Sequence, residues 1–122
     1  MPPPPLRLQR RDQFLAVTRA GCRFFSDGLV LQAMRRDDSG PVRVGYTVTR
    51  KVGNAVARNR TRRRLRELAR LLLAERPIQG VDLVLIGRAA TRRLPFSRLA
   101  AEFGCALDRA ESLLRVSRAI SP

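Results

Sequence analysis

RVGYTVTRKVGNAVARNRTRRRLRE, residues 43–67, is a strand that runs into a helix. Val42, Val44, Tyr46 and Val48 alternate with Arg43, Gly45, Thr47 and Thr49, the period of two expected of a strand with one buried face. After the Gly53-Asn54 break the period lengthens to that of a helix, and arginine occupies positions 58, 60, 62, 63, 64, 66 and 70. A helix over Ala55 to Ala74 places Ala57, Thr61, Leu65, Leu68, Ala69 and Leu72 on one side. Asn59, Arg62, Arg63, Arg66 and Arg70 gather on the other, and Arg58, Arg62, Arg66 and Arg70 stack at i, i+4 into a nearly continuous basic ridge. Like charge this dense repels itself, and sequences tolerate it mainly where a polyanion neutralises it. A solvated helix face, the ordinary explanation of a charge run, would need more balanced signs, yet only Glu67 interrupts the arginines. The polyanion expected is RNA. Charge alone would also admit DNA, since phosphate contacts are largely blind to sequence. A membrane-surface helix fits less well, because the apolar stripe is needed for a core.

Upstream, Asp12 to Ala20 carries Phe14, Leu15 and Val17 at roughly helical spacing, with Gly21 as a stop. A β-rich run follows from Arg23 to Met34, and Asp37-Asp38-Ser39-Gly40-Pro41 is a turn into the strand at 42–49. The two runs predict an antiparallel hairpin. Downstream, Pro77 and Gly80 end the long helix, and Val81 to Gly87 is a short, almost wholly apolar strand. Pro95 then opens a helix that turns Leu99, Phe103, Ala106, Leu107, Ala110 and Leu114 inward. The order α-β-β-α-β-α predicts an α/β (α+β) sandwich with at least one parallel strand pair. At 122 residues the chain holds a single domain, expected over 6–118, behind an extended, mobile proline leader at 1–5.

The chain carries 25 basic against 10 acidic residues, a net charge of +15 and a pI near 11.9. Only Lys51 among the basic residues is lysine; arginine bonds phosphate bidentately. There is no histidine, which removes the usual general base and the commonest zinc ligand. Cys22 and Cys105 are too far apart for a metal knuckle and suit a reducing cytosol, so a cytoplasmic protein is expected. The apolar runs at 71–74 and 83–86 are far too short to cross a bilayer. The carboxylates are scattered, and Gly53 stands alone rather than in a phosphate loop. Neither catalytic nor metal-ligating residues are therefore expected in the chain itself. Single-stranded RNA is commonly held by stacking on aromatic planes. Phe96 and Phe103 are assigned to the core, while Phe14 and Tyr46 suit either a core or a base.

Residues 43–60, continued through Arg62, Arg63, Arg66 and Glu67, resemble the signature of the bacterial ribonuclease P protein component. The helix with Phe14 and the strand at 82–88 fall where that family has them, so the likeness covers residues 6 to 116. The resemblance implies a fold similar to a ribosomal-protein domain, with a left-handed crossover between parallel strands, a rare sense. It implies the protein subunit of an endoribonuclease that removes the 5′ leader of precursor tRNA. The catalyst would be the ribonuclease P RNA with bound Mg2+, and no organic cofactor is implied. On that resemblance Arg50, Lys51, Arg58, Asn59, Arg60, Arg62, Arg63 and Arg66 would meet the catalytic RNA. Phe14, Thr18, Gln32 and Tyr46 would bind the leader, Thr18 and Gln32 standing where relatives often carry aromatic residues. Ala89 replaces a frequently basic position. The alternative is a ribosome-associated or generic RNA-binding protein with no role in cleavage. No membrane or DNA partner is expected.

Overall fold

In the computed structural model, which describes residues 4–118, the strand foreseen at 42–49 is β4, Arg43–Thr47, and the apolar run is β6, Val81–Gly87. (β1 to β3, β5 and β7 are placed below.) They lie side by side and parallel, Val44 opposite Leu83 and Tyr46 opposite Leu85, joined through the helix α2, Ala55–Ala74. This is the β-α-β unit the two periodicities predict. Gly53 makes the turn into α2 possible, since its φ of 147° is one that L side chains rarely adopt. Asn54 then caps the helix, its Oδ1 accepting the Ala57 N–H at 2.9 Å. Residues 1–3 of the expected leader lie outside the described residues.

The expected hairpin does not form. The Arg23 to Met34 run is broken at Ser26-Asp27-Gly28 into β2, Cys22–Phe25, and β3, Leu29–Arg35, which pair with each other. β6 sits between β3 and β4, antiparallel to the first and parallel to the second. The reason is burial. Leu83, Val84 and Leu85 point to both faces and are each at most 2% exposed, which only the middle of a sheet provides. β1, Leu6–Arg7, adds an unforeseen edge strand parallel to β4, giving the order β1-β4-β6-β3-β2. Two short strands, β5 (Ile78–Gln79) and β7 (Ser117–Arg118), pair apart from this sheet.

α2 and α3, Phe96–Leu114, cover one face of the sheet. Leu31, Val44, Leu65, Leu68, Leu85, Leu99, Phe103 and Leu107 are fully buried there. Burying an aliphatic or phenylalanine side chain of this kind is worth roughly 1.5–3 kcal/mol. The stripe of α2 is as foreseen, except that Leu73 completes it and Leu72 packs only partly against the core. Gly87 lets α2 come close: a Cβ there would lie 2.6 Å from Thr61 Cγ2. The opposite face carries only α1, Arg11–Ala20, over a small cluster of Leu8, Val17 and Val84 with Phe14, Met34 and Ile86 half-buried beside them. Asp82, 1% exposed, ties strands together by accepting from Arg43 at 2.8 and 2.7 Å and from Arg36 at 2.7 Å.

Candidate nucleic-acid interface

The arginines of α2 divide by what holds them. Arg64 donates to the Thr91 carbonyl at 2.7 Å and fastens α2 to the turn after β6, a structural duty. Arg58 donates to the Gly53 carbonyl at 3.0 Å, and Arg62 to Asn59 Oδ1 at 3.3 Å. Arg70, placed in the ridge by its spacing, is ion-paired with Glu67, whose carboxyl that hydrogen bond holds below its ordinary range. Arg60, Arg63 and Arg66 remain exposed and have no acidic partner among the described residues. Arg50 and Lys51 are likewise exposed and unpaired in the 3-10 turn before the helix. Hydrogen bonds to neutral oxygens leave the charge of Arg58, Arg62 and Arg64 in place, so along α2 only Arg70 is neutralised by an ion pair. The cations at 50, 51, 60, 63 and 66 are the exposed ones with no side-chain partner among the described residues.

On the α1 face, the ring of Phe14 lies against Gly45, where a Cβ would come within 2.4 Å of Phe14 Cε1. Phe14 is thus half-buried, anchored on one side and open on the other. Thr18, one turn on, is exposed and spends its hydroxyl on the Phe14 carbonyl at 3.1 Å. Gln32 shares this face but is 3% exposed, and in its hydrogen-bonding orientation its oxygen accepts from Arg23 Nε and NH2, both at 2.8 Å. Tyr46 is not brought to Phe14. It alternates with Gly45, so it stands on the α2 face, half-buried against the main core. Burial raises its phenol above the ordinary tyrosine range, against the lowering pull of Arg7 and Arg66. Sequence reasoning missed Arg23 and Phe25, which flank Gln32 and Val30 across the β2–β3 pairing, Phe25 being 68% exposed. The Ser-Asp-Gly turn signal was the clue that would have split that run and shown them.

Eight of the ten carboxylates already face an arginine: Asp12, Asp27, Asp38, Glu67, Asp82, Glu102, Asp108 and Glu111. A hard cation needs several oxygen ligands together, and no group of three potential metal ligands occurs among the described residues. Among them, too, no helix is long and apolar enough to cross a membrane.

Fold and charge define a small basic α/β protein with one helix face left without counter-charge. The sequence model of the family "Ribonuclease P" matches residues 3–111. The ribonuclease P protein component of Gluconacetobacter diazotrophicus is 56% identical over 104 residues, 85% of this chain and 90% of that one. That of Paramagnetospirillum magneticum is 38% identical over 120 residues, 95% of this chain and 90% of its own. The RNase P protein from Thermotoga maritima superposes with a TM-score of 0.72 at 28% identity, covering 84% of this chain and 96% of that one. The Staphylococcus aureus RNase P protein, at 22% identity and a TM-score of 0.71 over 86% of this chain and 94% of its own, shares the fold. The chain belongs to the ribonuclease P protein component family.

Proposed function

We propose that the protein is the noncatalytic, RNA-binding subunit of a cytoplasmic ribonuclease P that removes the 5′ leader of precursor tRNA. The observation that carries this is the set of unpaired cations on and before α2: Arg50, Lys51, Arg60, Arg63 and Arg66. The leucine stripe holds that helix rigidly on the sheet, so the cations present fixed spacings to the phosphates of the catalytic RNA. Each phosphate neutralised releases counterions, which drives binding. Asn59, Arg58 and Arg62 border the same surface. On the other face the half-open Phe14, with Thr18 one turn on, offers a ring and a polar group to the single-stranded leader, and Arg23 and Phe25 lie on the same face at the far edge of the sheet.

Magnesium bound to the RNA supplies the hydrolytic chemistry. The protein's part is to neutralise crowded phosphates, which favours that metal, and to hold the leader so that the scissile bond meets the RNA's site. The left-handed crossover belongs to the same reading and has support in Leu8. Its N–H donates to the Val44 carbonyl at 3.0 Å while its side chain sits in the α1 cluster. In L-residues, chain direction, amide and side chain form a fixed-handed set. Continuing from β1 through β4 to β6, with α2 on the far face, then turns left-handed.

Reconstitution with a bacterial ribonuclease P RNA and a precursor tRNA tests the function. The expected result is stimulated cleavage at the mature 5′ end at low magnesium, with no cleavage by protein stripped of RNA. Binding of RNA without that stimulation would leave a generic RNA-binding protein; cleavage by the protein alone would overturn the assignment.

A further inference from the structure

Tyr46 is the chain's only tyrosine, and there is no tryptophan. It shares a crevice of about 270 Å³ between β1 and α2 with Pro4, Pro5, Arg7, Arg63, Arg66 and the Glu67–Arg70 ion pair. Arg7 reaches it because Arg7 pairs with Val44, two residues from Tyr46 on the same face of the sheet. Arg7, Arg63 and Arg66 have no acidic partner among the described residues, and the charge of Glu67 is balanced by Arg70. The Tyr46 hydroxyl makes no hydrogen bond among them, yet no buried side-chain oxygen or nitrogen lacks one, so this hydroxyl is open to solvent. The ring is held by the core, and Arg7 and Arg66 lie near enough to act on its phenol electrostatically, with Arg63 lining the same crevice. A rigid O–H donor among unpaired guanidiniums is complementary to a phosphate. The space is just under the usual 300–1,000 Å³ range of small-molecule sites, which suits a phosphate and part of its sugar better than a free cofactor.

We propose, on the RNA-binding function above, that this crevice takes one backbone phosphate of the catalytic RNA. The Tyr46 hydroxyl donates to an oxygen of a phosphate that Arg7 and Arg66 neutralise. The catalytic RNA is the source because Arg63 and Arg66 continue the α2 surface, whereas Phe14 and the expected leader cleft lie across the sheet. A phenol is protonated at neutral pH even at its ordinary value, so the Tyr46 hydroxyl is available as a donor.

Tyr46→Phe deletes only the hydroxyl and leaves the buried ring, so the variant is expected to melt with the parent. Its affinity for ribonuclease P RNA should fall about tenfold, the lower end for a hydrogen bond to a charged group. The log–log salt dependence should keep its slope, because a neutral group releases no counterion. Arg66→Ala should instead flatten that slope by roughly 0.7 to 0.9. The double variant should lose less than the product of the two single losses, as groups sharing one ligand do. A tyrosine-selective carbon-13 label gives a single NMR resonance, which should move on adding the RNA and stay put with a leader oligonucleotide. Parent-like binding by Tyr46→Phe, or a resonance that the bound RNA leaves unmoved, overturns the crevice alone. A shift caused by the leader oligonucleotide also overturns it, by assigning the site to the substrate strand. Parent protein that does not bind the RNA overturns the functional reading together with this one.

Discussion

On the face of the sheet covered by α2 and α3, one large apolar cluster includes residues from Phe24 to Ala110, whereas the apolar cluster under α1 holds only Leu8, Val17 and Val84 as buried members. The first face is filled with leucines; the second ends in the half-buried ring of Phe14, a glutamine tied to an arginine, and an exposed Phe25. On the proposed function, the difference teaches how one sheet would serve two RNA surfaces. The thick face makes α2 stiff, so its charges keep their spacing. The thin face leaves strand and ring accessible, which a flexible single strand needs and a packed core would forbid.

The largest effect should come from the thick face. Phe103→Ala is expected to cost about 3–5 kcal/mol in denaturant unfolding, the range for a fully buried phenylalanine. On the thin face, Leu8→Ala should sit at the low end of the Leu→Ala range, about 2 kcal/mol, because the site is shallow and relaxes. Equal costs at the two positions would erase the contrast.

Phe14→Ala sharpens it further. Precursor-tRNA affinity should drop by about 1–3 kcal/mol while mature tRNA binds nearly as before. Gly45→Ala, whose methyl would collide with the Phe14 ring, should reproduce that leader-selective defect. Equal losses for both tRNAs with an early unfolding transition would make Phe14 a core residue only. The smallest change in stability is expected at the ridge. Arg62→Ala and Arg66→Ala should each stay within about 0.5 kcal/mol of the parent. Each should flatten the salt dependence of RNA binding by roughly 0.7 to 0.9. A large drop in melting temperature with the slope intact would mark them as structural, as Arg64 is.

How much of this was legible depends on the kind of information. The β4–α2 junction could be read because both periods and the Gly-Asn break are local. The place of Tyr46 was equally legible, since its alternation with Gly45 already set it among the valines. Strand neighbours were not: patterning reports burial, and the misplaced hairpin came from taking adjacency in the chain for adjacency in the sheet. That Arg64 fastens α2 while Arg63 stays free was also beyond reach. A run of identical residues differs only in what each one meets. Nor could any pattern show that Gly45 lies beneath Phe14, because that contact joins a helix and a strand about 30 residues apart in the chain.

β6 has one more consequence, for the order in which the molecule can assemble. The central strand is made after four of the five strands of its sheet, so until residue 87 has been synthesised β2–β3 and β1–β4 are separate pairs with nothing between them. Two-stranded pieces are marginal alone in water, and closing the sheet needs contacts between distant parts of the chain. Folding on the ribosome is therefore a late, single event. Until it happens, the arginine helix waits with its leucine stripe uncovered, and a chain that stops before Val81 is expected to remain unfolded.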